Sequence, residues 1–142
     1  KFNPPSRTYI ALKMLPKLVA TKTESVKALL NSAQYVSCTL DMWSDRNCRA
    51  YAAITAHTFL AFQAKSCLLA FREMPGSHTG TKIAELVESV LNEYNMQSKV
   101  EFFVTDNASN MKKAFTLLSS FHSDEGNDGD RRILAHDSEP TT

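Results

Sequence analysis

Two acidic residues stand where strand ends would place them. Asp41 lies in Thr39-Leu40-Asp41-Met42-Trp43-Ser44, and Asp106 lies in Val104-Thr105-Asp106-Asn107-Ala108-Ser109-Asn110-Met111. Each sits at or near the end of an apolar, β-prone run. If those runs are neighbouring parallel strands, both carboxylates share the sheet end at which open α/β sheets bind ligands. Two carboxylates suit Mg²⁺ or Mn²⁺, hard ions that prefer oxygen ligands. A pair of such ions roughly 4 Å apart would activate water and stabilise the leaving oxygen in phosphodiester cleavage. Each residue also has a structural role open to it. Asp41 suits an Asx-type turn or a helper to Ser44 and Arg46. Asp106 suits an N-cap on the following helix. Trp43 could stack on a base, although a core or subunit-packing role is the commoner one for Trp. His78 precedes a helix whose N-terminus would favour phosphate, and it could equally be a structural turn residue.

Elements able to position these residues follow from the hydrophobic pattern. After the loop Asn3-Pro4-Pro5-Ser6, residues 10–19 are helix-compatible, with Pro16 expected to kink or split them. Val26, Leu29, Leu30 and Ala33 then form one helical face, with Thr23 as a candidate cap. Tyr35–Trp43, Ala50–Phe62 and Cys67–Met74 read as three antiparallel strands with short connections, the first turn being Asp45-Arg46-Asn47. Ile83, Leu86, Val87, Val90, Leu91 and Tyr94 repeat with helical period from Thr79 or Gly80 onward. Val100–Thr105 is a short, continuously apolar strand of the kind buried on both faces. A last helix carries Met111, Phe115 and Leu118 on one stripe. The order helix, helix, β, β, β, α, β, α predicts an α/β domain, the opening half of a ribonuclease H-like fold. Residues 1–34 are expected as a helical segment, 35–122 as the core, and 123–142 as an acidic tail without order. With no fifth strand, Val100–Thr105 would be an unpaired apolar edge prone to aggregation.

Composition narrows the class. The chain has 142 residues, is 43% hydrophobic and carries a net charge of +1, so one globular domain is expected and overall charge says nothing about nucleic acid. Residues 1–27 hold six Lys or Arg against Glu24 alone, a run read as a solvated helix face. Cys38, Cys48 and Cys67 have neither the number nor the spacing of a disulfide framework or a zinc site. Buried free thiols are expected. No apolar run approaches a membrane span and no signal-peptide core is visible, so cytosol or nucleus is expected. The first residue is not Met, so the chain is read as beginning inside a longer protein.

The Asp-Met-Trp-Ser stretch, the His78-Thr79-Gly80 turn and Thr105-Asp106-Asn107-Ala108-Ser109-Asn110-Met111 resemble the hAT transposase superfamily, above all its domesticated BED-type zinc-finger relatives. Pro5-Ser6-Arg7 and the helices after it resemble the segment preceding the core in those proteins. The resemblance covers about residues 5–120. It implies an Asp-Asp-Glu core with Asp41 and Asp106 as first and second acids holding Mg²⁺ or Mn²⁺. The family's third acid follows a large helical insertion, and nothing in residues 107–142 matches it. Glu125 and Glu139 lie in loop-like sequence. Ile133-Leu134-Ala135-His136 keeps the His of a family Cys-x-x-His motif without its Cys. The resemblance further implies a nuclear location, DNA as partner of the full-length protein, and a homodimer through a C-terminal region not seen here. The expected function is a fragment of a transposase-derived DNA-binding regulatory protein that is inactive as this chain. The alternative is part of an active Mg-dependent transposase whose third acid lies downstream. A third reading is an interaction module with no nucleic-acid history.

Overall fold

The computed structural model describes residues 3–106, 108–122 and 132–136, the side chains of 119–122 and 132–136 excepted. Its elements are α1 (Arg7–Tyr9), a π-helical turn (Ile10–Met14), α2 (Leu15–Asn31), β1 (Val36–Ser44), β2 (Ala50–Leu60), β3 (Gln63–Glu73), α3 (Gly80–Glu93), β4 (Val100–Asp106), α4 (Ser109–His122) and β5 (Arg132–His136). The five strands form one sheet in the order β3-β2-β1-β4-β5. β1–β2 and β2–β3 pair antiparallel, whereas β1–β4 and β4–β5 pair parallel. The expected α/β architecture is therefore present, with one strand more than expected.

β5 corrects the reading of residues 123–142 as a tail. Residues 132–136 pair with β4 from Phe102↔Arg132 to Asp106↔His136, so β4 is an interior strand and not an open edge. Ile133-Leu134-Ala135 is too short to show a period, yet an apolar backbone segment gains ladder hydrogen bonds wherever such an edge is offered. Residues 123–131 and 137–142, including Glu125 and Glu139, lie outside the described residues.

The helical segment before the sheet does not break at Pro16. The Leu15 N–H bonds to the Ile10 carbonyl, five residues back, so the chain widens into a π-turn just before the proline. A π-turn relieves the clash that a proline ring makes with the carbonyl four residues earlier. Ser6, not Thr23, caps the start, its Oγ accepting the Tyr9 N–H at 3.1 Å. Most of this segment is exposed, Leu12 at 68% and Val19 at 62% included, so its apolar residues do not build the core. Anchoring comes at the far end. Leu30 is buried, and Lys99 Nζ donates to the carbonyls of Leu30 and Asn31 at 3.1 and 2.9 Å. A cation on the last carbonyls satisfies acceptors that the helix itself leaves unpaired.

One face of the sheet holds the core. Val36, Cys38 and Leu40 of β1 alternate with exposed or half-buried neighbours, as do Ala50, Ala52, Ile54 and Ala56 of β2. Ile83, Val87, Val90 and Leu91 of α3, with Met111, Ala114, Phe115 and Leu118 of α4, complete it. The periodic stripe expected of α3 is thus the buried one. Tyr94 Oη donates to the Leu69 carbonyl at 3.2 Å, and Arg72 pairs with Glu93 at 3.2 Å, tying the end of α3 to β3. The three thiols are unpaired, but only Cys38 is buried, and burial pushes it up to about 12. Cys48 is exposed and Cys67 half-buried, which corrects the expectation for those two.

β2 and β3 join through a two-residue turn that Leu60↔Gln63 closes, where Ala61 and Phe62 have φ of 49° and 61°. This is the type I′ pattern, which Asn-Gly fills without strain. Neither Ala nor Phe signals it, which is why the second strand read through Phe62 and the third began late. Left-handed backbone costs an ordinary residue roughly 1–2 kcal/mol. The double substitution Ala61→Asn/Phe62→Gly is expected to raise stability by about 1 kcal/mol or more. Urea unfolding measures it, and an unchanged midpoint would mean that the turn is not strained.

Candidate functional site

β1 and β4 run parallel as immediate neighbours, and their last register pair is Leu40↔Thr105. The next residue on each strand is Asp41 and Asp106. Leu40 and Thr105 are buried on the core face, while both aspartates are exposed on the opposite side of the pleat. One residue step past a parallel pair puts both carboxylates on the same face. The structure thus brings together the two acids that the sequence singled out. Among the described residues neither carboxylate has a hydrogen-bond or ion-pair partner, and two free oxygen donors suit a hard divalent ion.

The structural roles weighed for these residues fall elsewhere. The Asx turn belongs to Asp45, whose Oδ1 accepts the backbone N–H groups of Asn47 at 2.8 Å and Arg49 at 2.9 Å. Its Oδ2 takes Arg49 Nε at 2.8 Å and a second guanidinium nitrogen at 2.7 Å. Helix α4 opens on the Ala108 carbonyl, which accepts from Met111 and Lys112. Asp106 precedes that position by two residues. Asn107 lies outside the described residues.

A cavity of about 170 Å³ opens at this end of the sheet, lined by Met42, Ser44, His78, Asp106, Asn110 and Met111 among others. Asp106 lines it and Asp41 does not. His78 is the residue that sequence reasoning undervalued, for a lone histidine in a turn carries no pattern. His78 lines the cavity, and its Nε2 is buried without a hydrogen-bond partner among the described residues. His78 comes just before α3, which Thr79 caps by accepting the Lys82 N–H at 3.4 Å. Gly80 brings that helix start against α4: a Cβ there would meet Lys113 Cβ and Cγ at 2.9 Å and the Ala114 nitrogen at 3.0 Å. His136, a register partner of Asp106, stands at the same end of β5. Asp106 and His136 therefore end the adjacent parallel strands β4 and β5, while Asp41 lies three residues before the end of β1.

Trp43 is not a core residue. It is 43% exposed and packs with Tyr51 at 6.1 Å and Phe71 at 5.6 Å between ring centroids, on the sheet face opposite the core. The Arg49 guanidinium lies 5.9 Å from the Tyr51 ring centroid. Among the described residues no three His, Cys, Asp or Glu side chains converge as a metal cluster, and no helix is long and apolar enough to cross a membrane.

Comparison with known proteins adds two findings. The family described as the ZBED1 RNase-like domain matches residues 39–130. A protein of Talaromyces stipitatus named "Putative transcriptional regulator tpeD" is 27% identical over 106 residues, which cover 74% of this chain. The chain spans 12% of that relative's length.

Two outcomes test this geometry. The Arg49 N–H, with the Arg49 side chain and the Asn47 N–H, holds the Asp45 carboxyl below its ordinary value. A lowered carboxyl contributes stability that is full above its unfolded value and is lost as pH falls through the folded one. Asp45→Asn should therefore lower the thermal midpoint at neutral pH. The difference should close as pH drops below the ordinary aspartate range; a gap unchanged at low pH would contradict it. At Gly80 a larger side chain must push against the α4 backbone. Gly80→Val should cost roughly 2 kcal/mol in urea unfolding, and a neutral result would mean that α3 and α4 part easily.

Proposed function

The chain belongs to the ZBED1 RNase-like domain family, and on that premise we propose that it is core sequence of a hAT-type, transposase-derived regulatory protein that acts on DNA in the nucleus. The observation that supports the reading is the parallel pairing of β1 with β4, in which Asp41 and Asp106 each follow the last register pair, Leu40↔Thr105; open α/β sheets bind ligands at that end of their strands. In this proposal the two carboxylates are what remains of a metal-dependent nuclease centre for Mg²⁺ or Mn²⁺. When bound, such an ion would supply Lewis-acid stabilisation of phosphate oxygens. The third acid of the ancestral centre has no match in residues 107–142, so strand cleavage is not assigned to this chain. The name of the Talaromyces relative supports the regulatory side of the reading.

The second reading, part of an active transposase, is favoured by the two carboxylates having no partner among the described residues. The full-length protein separates the two. Purified and incubated with duplex DNA, it should bind with affinity that falls steeply as salt rises, and Mg²⁺ or Mn²⁺ should produce no cleavage. Binding should survive Asp41→Asn and Asp106→Asn. Cleavage abolished by either substitution would establish the active transposase instead. Absence of DNA binding in every form would sink both and leave the interaction module.

A further inference from the structure

The helical segment before the sheet carries an apolar surface that the described residues leave uncovered. Ile10, Met14 and Leu18 fall at i, i+4 and i+8, and Leu12, Leu15 and Val19 at i, i+3 and i+7. All are 37–68% exposed. Only the far end of α2 meets the core: Leu30 is buried there, Val26 packs beside it and Lys99 closes the last carbonyls. Neighbours along a helix do not face the same way. Met14 with Leu15, and Leu18 with Val19, therefore carry the apolar surface beyond a single stripe.

Charge is the second observation. Between Arg7 and Asn31, Glu24 is the sole acid against Arg7, Lys13, Lys17, Lys22 and Lys27, and Lys27 takes it at 3.8 Å. Among the described residues the other four cations have no ion-pair partner. The two observations together select an occupant. A second copy would set the same unpaired cations against these. Duplex DNA would take the cations and leave the apolar residues wet. A bilayer would cover one flat side of the helix. A groove that closes round a helix, apolar within and acidic at its rim, meets both demands.

We propose that residues 7–22 are the docking helix for a Ca²⁺-loaded EF-hand sensor, the class of acidic protein whose methionine-rich groove opens on Ca²⁺ binding. The apolar residues fill the groove and the four cations face its acidic rim. Ca²⁺ thereby governs the association, since the groove is closed without it. The inference is independent of the carboxylates on β1 and β4.

Calorimetric titration of the full-length protein with calmodulin as the probe, in Ca²⁺ and in EGTA, tests this. Binding should appear in Ca²⁺ and be lost in EGTA. Leu12→Glu/Val19→Glu should weaken it at least about thirtyfold, the loss expected of central apolar anchors. The thermal midpoint should not change, because both residues are exposed. Lys13→Gln/Lys17→Gln should weaken binding and flatten its salt dependence. No Ca²⁺-dependent binding, or binding indifferent to Leu12→Glu/Val19→Glu, overturns the proposal. So does binding to phosphatidylserine vesicles, or a concentration-dependent dimer, that the same substitution removes while calmodulin stays unbound. Should that variant not fold, hydrogen exchange of the parent decides. The amides of residues 10–22 must gain protection in the complex, and protection confined elsewhere overturns the assignment.

Discussion

Everything at the candidate site depends on one pairing, that of β1 with β4. β1 is the central strand, held antiparallel on one side and parallel on the other. Its core-facing residues Val36, Cys38 and Leu40 are buried to 2% exposure or less. Strand side chains alternate between faces, so a slip of one residue would turn the buried set outward. The burial of Leu40 and Thr105 on the core face therefore decides which face Asp41 and Asp106 share. The carboxylates need no attraction between them to be brought together, and as like charges they have none. Their proximity is imposed by the buried residues one step before them, Leu40 and Thr105.

Legibility in the sequence followed the strength of the local pattern. The repeat from Ile83 to Tyr94 spans three turns and has one buried face, and α3 lies where the repeat puts it. β1 and β4 were legible from their β-branched and apolar runs, and with them the placement of both aspartates. What failed was decided by partners distant in sequence or by backbone geometry without a residue signature. Five residues of β5 show no period, and only the waiting edge of β4 makes them a strand. The turn at Ala61-Phe62 adopts a shape usually advertised by Asn-Gly. Pro16 suggested a break, and one widened turn absorbs it. His78 belongs to a cavity that exists only after α3, α4 and the sheet have met.

The sheet is one-sided among the described residues. Its core face is closed by α3 and α4. Its other face carries Asp41 in the same row as Trp43, with Tyr51 and Phe71 across the neighbouring strands. The aromatic rings shelter one another, with Tyr51 and Phe71 stacked at 5.5 Å. Mutual packing of this kind recovers part of the burial that a covering layer would provide, and offset or tilted ring pairs add about 0.5–1.5 kcal/mol. Trp43 thus owes its position to the same alternation that exposes Asp41.

The connection between β1 and β4 also has a temporal side. On the ribosome β2 and β3 follow β1 directly, so the antiparallel half of the sheet can zip as it emerges. The parallel neighbour comes later: Val36 meets Val100, and Lys99 closes the end of α2 only when it arrives. At about 5–20 residues per second, the open side of β1 waits for several seconds of synthesis. During that interval Val36, Cys38 and Leu40 lack the helices that cover them, and the nascent meander presents an apolar face and an unpaired ladder together. Such a face is a natural target for a holding chaperone, and slower translation would lengthen the wait rather than assist folding.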